Sequence, residues 1–377
     1  MRRVSIVNVK PGMKAGRPVR NGNGQVLLNT GVILNDRYIA RLRSLGIPSL
    51  YIDDGFLPDI QVDDVIPEEI RIKAVKQVKN LLKAHAKSLG DNVKESEKVY
   101  STISEIIDQL LNNHNLMVEL VDIRSMDDYV FAHSVNVCVL ALMTGISLGY
   151  ERPKLFHLGM GSLLHDIGKV LVPKEILNKP GPLTEEEYNI VKKHPEYGLQ
   201  ILSKNPQVSS LSRMVVYQHH ERYCGTGYPQ GLKDSEIHEF AQITGMVDMY
   251  DALTVDRVYR KAFPPHEAYE MIAGAGDYLF PYHIIEPFLS NIAAYPAGTV
   301  VELSSREIAV VMRTTKGLPL SPRVRLLYDK AARPVTTLIE LELSDYRNVV
   351  ISRVLDELES LAGDQAMTNR TQFVNPD

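Results

Sequence analysis

The chain has no tryptophan and only two cysteines, Cys138 and Cys224, in 377 residues. Two thiols so far apart exclude a disulfide framework and suit a reducing compartment. Long apolar runs are also missing: no stretch approaches the roughly 18 residues that read as a membrane span. The opening Met-Arg-Arg-Val-Ser-Ile-Val-Asn-Val-Lys-Pro lacks the apolar core and small-residue cleavage site of a signal peptide. No charge sign dominates. Lys plus Arg number 42 against 46 Asp plus Glu, a formal net charge of −4, so no global basic field marks long nucleic acid as a partner. A small anionic ligand held by local positive charge fits better. These absences predict a cytoplasmic protein. A chain of 377 residues that is 44% hydrophobic can bury more than one core and suggests two or three domains.

What the chain does have is histidine in a pattern. His133, His165, Asp166, His194, His219, His220 and Asp248 recur at intervals of about one helical hairpin inside a block of apolar helical periodicity. A single histidine such as His133 more often sits hydrogen-bonded in a core than on a metal. Adjacent imidazoles at His219-His220 are different, because burying both is costly unless protons or metal engage their nitrogens. Imidazole and carboxylate without thiolate suit Mn, Fe, Co, Ni or Zn. A carboxylate directly after a histidine can bridge two ions, and two ions about 3.5–4 Å apart suit phosphoryl chemistry. The residues alone therefore predict a metal-dependent phosphohydrolase.

The segments His165-Asp166-Ile167-Gly168-Lys169 and His219-His220-x-x-x-x-Gly225-x-Gly227-Tyr228-Pro229, with Asp248-Met-Tyr-Asp-Ala-Leu-Thr-Val-Asp-Arg257-Val-Tyr-Arg260-Lys261, resemble the HD-GYP group of the HD metal-dependent phosphohydrolases. The resemblance covers residues 118–292. It implies an all-helical bundle holding a metal site that hydrolyses the bacterial second messenger cyclic di-GMP to linear pGpG, which the same site could cut on to GMP. It also implies that His133, His165, Asp166 and Asp248 hold one metal and His194, His219 and His220 the second, with Asp166 bridging. Members with a third metal use a carboxylate four residues before the first histidine. This chain has Tyr129 there, so two divalent ions are expected.

Lys169 is expected one helical turn beyond His165, facing the same pocket, to protonate the leaving oxygen or steady the phosphate. Arg257 and Arg260, three residues apart, can reach one phosphate together, although pairing with Asp251 or Asp256 is the competing reading. Gly225 and Gly227 allow positive φ and close approach of a nucleotide, Pro229 stiffens the exit, and Tyr228 could stack or hydrogen-bond at the base. The bland alternative is an ordinary glycine turn beside an aromatic plug. Many relatives carry Asp where this chain has Cys224, which leaves open a non-catalytic cyclic di-GMP receptor. An HD hydrolase of another nucleotide is a second alternative, and the Gly-Tyr-Pro segment argues against it.

The fold class expected is mainly α: an HD-type bundle with a small α/β N-terminal module and a small C-terminal β subdomain. Residues 1–54 read as an accessory module, with strands near Val4 and Gln25, a turn at Asn21–Gly24, a helix from Asn35 and a strand at Leu50. Residues 55–117 read as a linker and helical pair. One helix opens at Pro67 and runs to about Leu89. The other covers Val93 to Asn112, with apolar spacing at Val99, Ile103, Ile106, Ile107, Leu110 and Leu111, and could relay a signal to protein partners or form a homodimer. Residues 118–292 form the catalytic domain, 293–350 the β subdomain, and 351–377 a C-terminal helix and frayed tail.

Overall fold

Residues 132–145 are buried without interruption, a pattern that belongs to a helix at the centre of a bundle rather than on its surface. The computed structural model describes residues 1–20, 25–45, 47, 49–53, 65–87, 93–113, 117–118, 129–255 and 262–355. The elements, in order, are β1 (Arg2–Ser5), β2 (Val19–Arg20), β3 (Val26–Leu28), α1 (Asp36–Ser44), β4 (Ser49–Ile52), α2 (Glu68–Lys87), α3 (Val93–Asn112), α4 (Tyr129–Ser147) and α5 (Arg152–Leu164). They continue with α6 (Lys174–Leu177), α7 (Glu185–Val191), α8 (His194–Leu202), α9 (Ser210–Gln218), α10 (Glu239–Thr254), α11 (Pro265–Ala273) and α12 (Tyr282–Leu289). The sheet strands β5 (Val300–Leu303), β6 (Ile308–Arg313), β7 (Arg323–Tyr328), β8 (Glu340–Glu342) and β9 (Ile351–Val354) follow.

The chain divides into two compact units, one of residues 20–25 and 63–294, the other of 1–19, 26–62 and 295–377. In the first, α4 is wrapped by α2, α5, α10 and α12. α10 is likewise buried from Phe240 to Val247, and Tyr250 meets Phe288 of α12 edge-on with ring centroids 5.1 Å apart. The outer helices start where capping chemistry dictates. Thr184 and Glu187 form a reciprocal capping box at α7, with Glu187 N–H to Thr184 Oγ1 at 3.2 Å and Thr184 N–H to Glu187 Oε2 at 2.8 Å. Ser209 caps α9 through Ser212 N–H. The apolar stripe that made α3 a candidate dimer face is buried inside this unit: Val99, Ile103, Ile106, Ile107 and Leu110 join its core, and only Leu111 faces solvent.

The second unit joins the two ends of the chain. β1 pairs antiparallel with β4, from Arg2 opposite Ile52 to Ser5 opposite Ser49, and α1 begins after the cap Asn35, whose Oδ1 accepts Tyr38 N–H at 2.9 Å. Segments 1–54 and 293–350, read from sequence as separate modules, share this unit. Arg3 N–H donates to Gly298 O at 3.2 Å, and Tyr51 Oη donates to Ala297 O at 3.3 Å. The C-terminal sheet has the order β8-β7-β6-β5-β9 around Ala297, Val300, Ile308, Val310 and Tyr328. A helix beginning at residue 351 is not what forms. Val354, Arg353 and Ile351 instead pair with Val301, Glu302 and Leu303 of β5. The Arg353 guanidinium bonds Glu302 at 2.5 Å, so cross-strand pairing outweighs local helical preference. The expected turn at 21–24, most of the linker ahead of the helix at Pro67 and the tail beyond 355 lie outside the described residues.

Between α5 and α6 the chain makes a tight 3-10 turn, Ile167–Leu171, packed on the start of α8. Gly168 makes that contact possible, since a Cβ there would lie 1.8 Å from His194 O and 2.5 Å from Gly198 N. Gly168→Ala is expected to destabilise the protein by about 1–3 kcal/mol through overpacking, read as a lower urea midpoint at unchanged m. An unshifted midpoint would show that the turn and α8 separate freely.

Candidate metal centre

Helix ends deliver most of the histidines. His165 closes α5 and Asp166 precedes the 3-10 turn, His194 is the first residue of α8, and His219 and His220 follow the last turn of α9. His133 and Asp248 project from within α4 and α10. Donor atoms of Asp166, His194, His219 and His220 lie within 4.8 Å of one another, as do those of His133, His165 and Asp248. Asp166 links the groups: Oδ2 is 3.4 Å from His165 Nε2 and 3.9 Å from His133 Nε2, while Oδ1 is 3.4 Å from His194 Nε2.

The rings are fixed from behind. Nδ1 of His165, His194 and His219 donates to the carbonyls of Ser162, Val191 and Val216 at 2.8, 2.8 and 2.9 Å. Each therefore turns Nε2 inward as a bare lone pair, the arrangement that orients metal-ligating histidine. Nε2 of His194 and His219 stand 3.2 Å apart. Nε2 of His165 and Oδ1 of Asp166 are buried without a hydrogen-bond partner among the described residues. Lone pairs facing one another in a dry site are repulsive, and a cation among them removes the repulsion. The residues present fit divalent metal.

Protonation follows the same geometry. Burial pushes His194 down to about 4 against the pull of Asp166, and burial followed by neighbouring imidazoles holds His219 well below the ordinary range. Burial likewise lowers His220. Burial also lowers His133, but Asp248 and Asp251 outweigh it and carry His133 up to about 10. It lies 3.1 Å from Asp248 through Nε2 and 2.6 Å from Asp251 through Nδ1. Burial would raise both Asp166 and Asp248. Asp166 is nonetheless held well below the carboxylate range by the charge of Lys169 and then His165, and Asp248 by its hydrogen bond to His133.

Lys169 reaches the cluster by another route than expected. α5 ends at Leu164, so no continuous helix carries Lys169 over His165; the 3-10 turn brings Nζ to 2.5 Å from Asp166 Oδ2. Tyr228 stacks on His220, with centroids 4.6 Å apart and planes 24° from parallel. Gly225 takes a positive φ of 81°. Gly227 does not, and is there for space: a Cβ would lie 2.4 Å from Glu221 Cα and 2.5 Å from His220 O. Cys224 Sγ lies 3.1 Å from Thr226 Oγ1 within the loop. Arg257, Arg260 and Lys261 lie outside the described residues, as does the side chain of Tyr129.

Three residues here escaped the sequence reading. Glu221 is buried and accepts Gln230 N–H at 2.7 Å and Leu232 N–H at 3.0 Å, clamping the Gly-Tyr-Pro loop beside His220. Arg222 lies 5.1 Å over the Phe280 ring and donates to His219 O and Glu221 O at 3.2 and 2.9 Å. Asp251 holds His133 from behind. The first two adjoin the His219-His220 pair, which is the one signal that could have found them.

The HD domain family matches residues 79–279, and a KOW domain associated with the HD domain matches 300–362. A protein named cyclic di-GMP phosphodiesterase PA4108, of Pseudomonas aeruginosa, is 36% identical over 231 residues, covering 61% of this chain and 56% of its own length. A cyclic di-GMP phosphodiesterase of Thermotoga maritima is 32% identical over 209 residues, 55% of each chain. A 3'3'-cGAMP-specific phosphodiesterase 3 of Vibrio cholerae is 39% identical over 150 residues, 40% of this chain and 32% of the other. The chain thus spans only about half the length, or less, of these relatives.

The opposed shifts of His194 and His133 give the metal-free protein a bell-shaped stability. Below the ordinary histidine value near 6.5 the unfolded chain takes up a proton that folded His194 refuses until about pH 4, so stability falls on acidification. Above 6.5, folded His133 keeps a proton until about pH 10 that the unfolded chain has lost, so stability falls as pH rises. Urea midpoints of chelator-treated protein across this range should peak between the two limbs, and a His133→Asn variant should lose the alkaline one.

Proposed function

The chain belongs to the HD domain family, within its HD-GYP group, and from that premise we propose that it is a metal-dependent phosphodiesterase hydrolysing cyclic di-GMP to pGpG, which the same site could cut on to GMP. The observation that carries this reading is the pair of donor groups joined by Asp166, with Lys169 and the Gly-Tyr-Pro loop beside them. Asp166, His194, His219 and His220 would hold one divalent ion and His133, His165 and Asp248 the other, with Fe, Mn, Zn, Co and Ni all suited to the donor set. Two such ions supply Lewis acidity toward the phosphodiester and make water a nucleophile at neutral pH.

The chain's own groups do the rest. Lys169 Nζ lies against Asp166 with its side chain one-third exposed, placed to pass a proton to the departing ribose oxygen. Tyr228, braced on His220, and the backbone at Gly225 and Gly227 form the wall that receives the base. Arg257 and Arg260 grip the phosphate in this reading through bidentate contacts. A cytoplasmic site of action accords with the two free thiols. Among the described residues, no helix is long and apolar enough to cross a membrane.

The test is hydrolysis by chelator-stripped protein resupplied with Mn, Fe(II) or Zn, offered cyclic di-GMP and 3'3'-cGAMP separately, with products resolved by chromatography and metal content measured alongside. Metal-dependent pGpG with about two ions per chain is expected. Lys169→Ala should lower kcat about 10²–10⁴-fold with metal content retained, and Asp166→Ala should lose both metal and turnover. Preferred cleavage of 3'3'-cGAMP would move the substrate to another cyclic dinucleotide. Tight binding of cyclic di-GMP without product under every metal would sink the enzyme and leave a receptor.

A further inference from the structure

Three of the imidazoles take their orientation from a carbonyl three residues back in their own segment, whereas His133 leans on a side chain 118 residues away. Behind His133 runs a buried polar line. Its Nδ1 meets Asp251 Oδ2 at 2.6 Å, Asp251 Oδ1 accepts Asn136 Nδ2 at 3.2 Å, and Asn136 Oδ1 accepts Arg71 Nη1 at 2.9 Å. Exposures are 4% for His133, 1% for Asp251, 6% for Asn136 and 8% for Arg71, so water takes little part in ordering the four. Arg71 belongs to α2, outside the segments that carry the ligands.

We propose that Arg71 is a positioning residue for the metal centre, acting through Asn136 and Asp251 on His133. The line has one polarity, fixed at one end by Arg71 and at the other by Asp251. A guanidinium offers only donors, so Asn136 must turn its oxygen toward Arg71 and its NH₂ toward Asp251. Asp251, committed through Oδ1, leaves Oδ2 for the Nδ1–H of His133, and Nε2 then faces Asp248 and the metal position. The Asp251 carboxylate, which only accepts, demands the same orientation, and the bond from Arg71 pins the oxygen end of the amide in place. The reversed amide would set an oxygen against a buried carboxylate and leave its NH₂ group unpaired, a costly arrangement in a dry interior. An amide no longer anchored by Arg71 seats Asp251 less firmly, and through Asp251 the ring of His133. α2 thereby becomes the element through which a change away from the ligand-bearing helices reaches the centre.

This inference rests on the metal-centre reading and is independent of which cyclic dinucleotide is cut. The experiment titrates the full chain, stripped of metal, with Zn(II) or Mn(II) against a competing chelator dye, for wild type, Arg71→Met and Arg71→Lys, with urea midpoints of the metal-free proteins alongside. Arg71→Met is expected to bind metal about 10-fold more weakly, with Arg71→Lys recovering part of the loss because it restores a donor to Asn136. A purely structural role would lower the urea midpoint and leave metal affinity in place. Should Arg71→Met fail to fold, Asn136→Ala cuts the same line and is read the same way. Metal affinity within about 2-fold of wild type in the folded variant overturns the inference. Wild type that takes up no metal overturns the metal-centre reading itself, and this inference with it.

Discussion

Five imidazoles and two carboxylates converge where water is largely excluded, and their mutual repulsion is the constraint to which the rest of the bundle answers. Nε2 lone pairs of His194 and His219 face one another at 3.2 Å, and the buried Asp166 stands among them. Such a set is held from outside: His165, His194 and His219 by carbonyls of the preceding turn, Asp166 by Lys169, His133 by Asp251 and His220 by the Tyr228 ring. In metal-free protein a proton on His133, between Asp248 and Asp251, stands in for part of the missing positive charge. The buried stretches of α4 (132–145) and α10 (Phe240 to Val247) supply the rigidity, and the helix ends bring the remaining donors to them.

Much of this was legible in the chain. Periodicity and capping located the starts of α1 and α2, the full extent of α3 and the β-rich character after residue 293, since these features are local. The seven donors could be named because they recur at about one helical hairpin and because adjacent imidazoles at His219-His220 are costly to bury without a partner. What escaped is what depends on distant partners. Ile351–Val354 became a strand because β5 was available to pair with it. The stripe on α3 read as an interface, and it is one, but toward its own bundle.

The same distinction separates the ligands from their supports. His133 can be singled out by type, but Asp251, Asn136 and Arg71 lie 118, 3 and 62 positions from it and carry no motif tying them together. Glu221 is adjacent to His220, yet its role depends on where the fold sets the amides of Gln230 and Leu232. Gly227 matters through the 2.4 Å that a Cβ would leave to Glu221 rather than through an unusual dihedral angle.

The spread of the donors along the chain, from His133 to Asp248, has a topological meaning. Metal held by α4, the α5 end, α8, the α9 end and α10 would tie together segments separated by long loops, in the manner of a cross-link rather than of a local clip. Loop-closure entropy grows only as the logarithm of length, so each such tie restricts the unfolded chain more than one joining neighbours would. Metal supply in the cell would then set how long the folded bundle survives proteolysis as well as whether its chemistry runs.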